Sequence, residues 1–189
     1  MEKKNIFDLV EKVTYITPAS PVVLVSTRST DGINNLAPFG MFMVASTRPS
    51  MIIVAVSPKT DTYKNIMDTK QFVVAIPNKG YEDALYAAGG KFPPEVDEFA
   101  QAGFTPYESR KIRAPKVAEC IVNLECCLAW TKDAGNHTIF CADVVDADID
   151  NNLFKDGISN VNLRKNVSKL YHITSNAFIS DGKIIYANK

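Results

Sequence analysis

The chain has 189 residues, 46% of them apolar and 22% charged, enough for one globular domain with a real core and too apolar for a disordered segment. Lysine plus arginine and aspartate plus glutamate each number 21, so the formal net charge is zero. That removes the electrostatic case for nucleic acid or an anionic membrane as a partner. No apolar run approaches the roughly 20 residues of a membrane span. Met1-Glu2-Lys3-Lys4-Asn5 leads into a mixed polar segment rather than a secretory leader, and the expected location is the cytoplasm.

In chain order, Ile6, Leu9, Val10 and Val13 fall at helical spacing, and Pro18 and Pro21 end that helix. Val22 to Thr27 reads as a strand, Thr30-Asp31-Gly32 as a turn, and Asn34 to Ser46 as one long returning strand, so that the two form a hairpin. Pro38 lies inside that strand, and a proline donates nothing to a ladder, which predicts a bulge there. Strands follow at 51–57 and 71–76, with a short helix from Tyr63 to Thr69 between them. From 78 to 116 no strand signal appears; short helices are expected at 81–88 and 95–101, separated by Gly89-Gly90 and Pro93-Pro94. From Val117 to Thr131 the residues alternate. Cys120, Val122, Leu124, Cys126, Leu128 and Trp130 share one face, and Asn123 and Glu125 take the other, as in a half-buried strand. A turn at 133–136 returns the chain along His137 to Ile149. Residues 151–166 are polar and loop-like, and short strands at 170–173, 177–180 and 183–186 complete the chain. Seven or eight strands with few helices, in one domain over residues 1–189, predict a mainly β, antiparallel, closed barrel.

The segment Ser57-Pro58-Lys59-Thr60-Asp61-Thr62-Tyr63-Lys64-Asn65 carries the most chemistry. It runs from strand through polar turn to helix start, gathering hydroxyls, two lysines and the unpaired N–H groups of a first helical turn, which suits a phosphate. No glycine-rich phosphate loop is present, so a nucleoside triphosphate or dinucleotide fold is not indicated. Ordinary helix capping with solvated lysines accounts for the same residues. Cys120, Cys126, Cys127 and Cys141 have no zinc-ligand spacing and read as buried thiols. Asp143, Asp146, Asp148 and Asp150 alternate along a strand, which reads as a solvated face, and no metal is assigned. Trp130 and the phenylalanines read as core and His172 as structural.

Several motifs in order resemble the FMN-binding split-barrel proteins, in their flavin reductase-like and flavoredoxin branch. They are Pro21 to Thr27 with Asp31-Gly32, Asn35-Leu36-Ala37-Pro38-Phe39, Val44 to Pro49, Lys59-Thr60-Asp61-Thr62 with Asn65-Ile66, and Phe72-Val73-Val74. Asp97-Glu98-Phe99, Ala102-Gly103-Phe104, Leu124-Glu125-Cys126 and Asn136-His137-Thr138-Ile139 complete the series, which spans roughly residues 15 to 180. The resemblance implies a Greek-key-like split barrel with peripheral helices, a noncovalent FMN and a homodimer that completes the site. It implies that Lys59, Thr60 and Thr62 hold the phosphate, with Ser57 also in the cofactor site. The backbone of Asn35, Ala37, Pro38, Phe39, Gly40 and Met41 would line the ring edge, and His137 would lie near the reactive face. The implied activity is an oxidoreductase in which NADH or NADPH reduces the flavin, which passes electrons to free flavin, a small acceptor or a redox partner protein. The alternative is a flavoredoxin-like electron carrier without a nicotinamide substrate of its own. Gly40 stands where the family often has a small hydroxyl residue, and Glu98 where many members carry lysine.

Overall fold

The structure, a computed structural model, describes residues 19–151, 170–174 and 177–180. The helix expected near residues 5–14, most of the loop at 151–166 and the strand at 183–186 lie outside them. Its strands are β1 (Ser20–Pro21), β2 (Val23–Arg28), β3 (Asn34–Phe39), β4 (Phe42–Thr47), β5 (Ser50–Val56) and β6 (Gln71–Ile76). They continue with β7 (Pro106–Tyr107), β8 (Lys116–Val117), β9 (Val122–Ala134), β10 (His137–Ile149), β11 (Tyr171–Thr174) and β12 (Ala177–Ile179). The helices are α1 (Asp61–Thr69), α2 (Glu82–Ala88) and α3 (Glu98–Ala102). Among the described residues no helix is long and apolar enough to cross a membrane.

Seven strands form one antiparallel sheet in the order β3-β2-β6-β9-β10-β5-β4. Its central strands are buried on both faces. Val23, Val25, Phe72 and Val74 point into one core with Ile52, Val54, Val56, Phe140 and Ile66 of α1. Leu24, Val73 and Ala75 point into a second core under α2, α3 and the segment that follows them. A strand between two cores has no polar face, so β2 and β6 read as continuous apolar runs.

The expected long strand at 34–46 is two strands. β3 pairs with β2 and β4 pairs with β5, at opposite ends of the sheet. Only Gly40 and Met41 connect them, so Phe39 and Phe42 lie at most about 11 Å apart. The sheet therefore curls until its two edges meet at that corner. This is the split barrel that the motifs implied, mainly β with peripheral helices. The expected bulge at Pro38 is absent: Pro38 sits in regular register opposite Leu24, tolerated because β3 is an edge strand. The ladder breaks two residues later instead.

Three further expectations change for one reason. The segment from 78 to 116, where no strand was expected, packs on the sheet and carries β7, which pairs with β8 over two residues. It covers the side of β9 that carries Asn123 and Glu125, which are 1% and 0% exposed. Asn123 Oδ1 accepts from Val117 N, and Glu125 accepts from Arg110 N, Lys111 N and Lys116 Nζ. The polar face of β9 thus satisfies a loop's backbone rather than meeting water. Asp146 pairs with Arg110, and Asp148 accepts from Lys116 Nζ at 2.8 Å and from Tyr107 Oη at 2.8 Å, so these half-buried aspartates are ion-paired. Trp130, expected in the core, is 48% exposed. Phe72, Phe99, Phe104 and Phe140 are buried, as are Cys120, Cys126 and Cys141; Cys127 is half-buried, and all four thiols are free. Burial pushes the thiols of Cys120 and Cys126 far above the usual range. His172 lies in β11 with its ring 5.7 Å from Phe178.

Candidate functional site

The turn after β5 becomes a helix start through one residue. Thr60 is the N-cap of α1, with backbone angles of −105° and 151°. Its hydroxyl accepts from Tyr63 N at 3.2 Å and donates to Ser57 O at 2.9 Å. Both the capping role and the helix-start geometry are therefore present in the same residues. Asp61 and Thr62, the first two helical positions, have no intrahelical acceptor for their N–H groups. Lys59 N donates to Ser57 Oγ at 3.4 Å, while the Lys59 side chain is exposed and has no ion-pair partner among the described residues.

This helix start opens on a cleft of about 750 Å³, within the size range of small-molecule and cofactor sites. Asn35, Ala37, Pro38 and Phe39 of β3, with Gly40 and Met41 at the barrel corner, line one wall. Ser57, Lys59, Thr60 and Thr62 line the wall at the end of β5, and His137, the first residue of β10, joins them. The eleven residues singled out in the sequence thus converge on one cavity, although they come from three separate stretches of chain. At Gly40 an added Cβ would meet nothing nearer than Ser20 Cβ at 3.8 Å, so no crowding demands a glycine there.

Two of these side chains turn inward. Thr62 is 1% exposed, and its hydroxyl donates to Asn35 Oδ1 at 2.9 Å. Asn35 Oδ1 also accepts from Thr27 Oγ1 at 3.2 Å, and Thr27 Oγ1 accepts from Asn65 Nδ2 at 3.0 Å. Asn35 Nδ2 donates to Glu98 Oε2 at 2.6 Å, and Leu36 N donates to the same oxygen at 2.8 Å. Five buried polar side chains from β2, β3, α1 and α3 thus form one connected network behind the cleft, the arrangement that fixes the geometry of a wall. What Thr62 leaves for a ligand is its backbone N–H. Burial raises the Glu98 carboxyl above its ordinary value. The hydrogen bond from Leu36 opposes this, the nearby Asp61 charge adds to it, and that from Asn35 opposes it again.

His137 is half-buried, with Nδ1 2.7 Å from Asn136 Oδ1. An amide oxygen only accepts, so Nδ1 carries the proton and Nε2 is the acceptor in the neutral ring.

The sequence reading missed the loop after α2. Gly89, Gly90, Lys91 and Phe92 line the cleft beside β3, and Ala55, Asp61 and Glu98 line it too. Gly89 packs against Pro38, where a Cβ would lie 3.4 Å from its ring carbon, and this places Lys91 at the cavity. The signal was a glycine pair followed by a cation and an aromatic, read only as a separator between helices. The charged lining is Lys59 and Lys91 against Asp61 and Glu98, so the cleft is not uniformly basic. Among the described residues no His, Cys, Asp and Glu group could hold a metal ion.

The arrangement can do three things: hold an anion at the helix start beside Lys59, present backbone and apolar groups to a planar ring along β3, and place an imidazole beside that ring. The family model that matches over residues 17–175 is the flavin reductase like domain. A protein of Aquifex aeolicus (strain VF5) is 41% identical over 111 residues, 56% of this chain and 57% of that protein. An NADH-dependent FAD reductase of Streptomyces globisporus is 27% identical over 107 residues, 56% of this chain and 58% of that one. These alignments span somewhat more than half of each relative. A flavoredoxin of Methanosarcina acetivorans shares the fold, with a TM-score of 0.83 at 23% identity, covering 99% of this chain and 95% of that one. With its family model matched over most of its length and all its expected site residues around one cleft, the chain belongs to the flavin reductase-like family.

Proposed function

We propose that the protein is an FMN-dependent oxidoreductase in which NADH or NADPH reduces the flavin and free flavin or a small acceptor takes the electrons. The observation that carries this reading is the cleft itself, where three separate chain segments bring a helix start with an exposed lysine and a backbone-lined wall to one cavity of about 750 Å³. The residues present fit the group. Lys59, Ser57 and the N–H groups of Asp61 and Thr62 would hold the phosphate. Ala37 to Met41 would line the ring with backbone and apolar atoms, and His137 would orient the donor or balance charge on the ring. A bound flavin supplies hydride acceptance and electron transfer; the chain binds it, orients it and keeps one face open to the donor.

A homodimer is part of this proposal. The edge strand β4 is exposed on both faces, with Met43 57% and Val44 60% exposed. On the outer face of the sheet Met43, Ile53, Cys141 and Trp130 stand in one register row. An apolar edge and face of this kind are what a second copy covers.

The test is to load the purified protein with FMN and follow flavin bleaching anaerobically with NADH and with NADPH. Lys59→Ala should weaken FMN binding about tenfold or more and leave riboflavin nearly unchanged, because a charge-assisted hydrogen bond is worth roughly 1.5–3 kcal/mol. Equal losses for the two ligands would refute the phosphate assignment. Bleaching by dithionite but by neither nicotinamide would replace the reductase with an electron carrier.

A further inference from the structure

Glu98 is the one acidic side chain built into both the wall of the cleft and the network behind it. Its Oε2 accepts from Asn35 Nδ2 at 2.6 Å and Leu36 N at 2.8 Å, whereas Oε1 has no hydrogen-bond partner among the described residues. Ser180 Oγ is the only buried side-chain polar atom without a partner among those residues. Oε1 is therefore not sealed in the core. It is open to the cavities that Glu98 lines, which are the 750 Å³ cleft and a neighbouring hollow of about 220 Å³. Both cavities also share Asp61, the first residue of α1.

The connection to the helix start is short. Thr62, at the second helical position, bonds Asn35, and Asn35 bonds Glu98. Asp61 is near enough for its charge to act on the Glu98 carboxyl. A carboxylate with one oxygen open to the cleft shares that cavity with whatever occupies the helix start, and a partly buried charge is screened by salt much less than a surface one.

We infer that Glu98 is a specificity-determining residue of the cleft. One carboxylate oxygen positions Asn35 and β3, while the other sets a negative charge against the phosphate end of the ligand and limits how strongly a phosphorylated flavin is preferred over its unphosphorylated form. This rests on the flavin reading above. Lys59 and Lys91 draw the anion in, and Glu98 and Asp61 oppose them, so the preference is graded rather than absolute.

The experiment compares the dissociation constants of FMN and riboflavin, by flavin fluorescence at pH 8, for the whole chain and two variants. Glu98→Gln keeps the shape and an acceptor oxygen for Asn35 or Leu36. It removes a charge that burial disfavours, so the variant is expected to fold. The ratio of FMN affinity to riboflavin affinity should rise at least threefold, through tighter FMN binding. Glu98→Asp keeps the charge, and its ratio should stay within twofold of the parent even if both affinities fall. A residue that only supports the wall would move both ligands together. An unchanged ratio in Glu98→Gln, or an equal rise in both variants, overturns the inference while leaving flavin binding intact. Absence of binding of either flavin to the parent chain overturns the flavin reading, and this inference with it.

Discussion

Replacing Lys116 by methionine tests whether the polar side of β9 is held by charge or by packing. Lys116 is 1% exposed, with Nζ 2.9 Å from Glu125 Oε1, 2.8 Å from Asp148 Oδ2 and 5.6 Å from the centre of the Tyr107 ring. Glu125 is fully buried. Methionine matches the stem and removes the ammonium, which leaves the Glu125 carboxylate without its counter-charge. Breaking a buried pair from one side costs about 3–5 kcal/mol. Arg110 N and Lys111 N still donate to Glu125 at 2.9 and 2.7 Å, which places the expected loss near the lower end, about 3 kcal/mol. With a urea slope of about 2 kcal/mol/M, the unfolding midpoint should fall by roughly 1.5 M at pH 7. Adding Glu125→Gln to Lys116→Met removes the stranded charge and should recover part of the loss. A midpoint shift below about 0.3 M, or further destabilisation by the second substitution, would refute the reasoning.

The same cluster sets an acid limit. Burial alone would raise the carboxyls of Glu125 and Asp148. For Glu125 the hydrogen bonds from Arg110, Lys116 and Lys111 and the Lys116 charge outweigh it; for Asp148 Lys116 and Tyr107 do so, and both end below their ordinary values. A carboxyl depressed in the folded state stabilises above its unfolded value and loses that contribution as pH falls through the folded one. The urea midpoint should therefore drop below about pH 4, and the gap between the parent and Lys116→Met should narrow there; a constant gap from pH 7 to pH 3 would count against it. His137→Ala should retain FMN yet slow its reduction by NAD(P)H at least several-fold, with His137→Gln recovering part of the rate, since groups that act on the transition state affect rate more than ground-state affinity; an unchanged rate would remove His137 from the chemistry. Sedimentation equilibrium should find a dimer at micromolar concentration and a shift towards monomer in Met43→Lys; a monomeric FMN-loaded parent would sink the dimer.

Local pattern was enough for much of this protein. The runs read at 22–27, 51–57 and 71–76 became β2, β5 and β6 because β-branched and aromatic runs of that length fit a pleated, buried surface. The 57–65 segment announced a helix start because hydroxyl and Asp residues compete for backbone N–H groups wherever a helix begins. Motif order then assembled the eleven cleft residues. Tertiary structure decided everything that depends on which distant segment lies opposite. Nothing local distinguishes a 13-residue strand from two strands at opposite edges of a curled sheet, because Gly40 and Met41 break only when β2 and β5 claim separate partners. Glu125 looked solvated since strand alternation records polarity and not what covers it, and the cover, residues 108–117, comes from elsewhere in the chain. Trp130 looked buried because the alternation was read straight through, whereas a register shift opposite Cys141 and Ala142 leaves Ala129 extra and turns Trp130 to the outer face, away from Leu128 and Cys126. The Gly89–Phe92 loop and Glu98 entered the cleft because α2 and α3 pack on β3, and helix-to-sheet packing leaves no periodic mark on the loop residues it brings along.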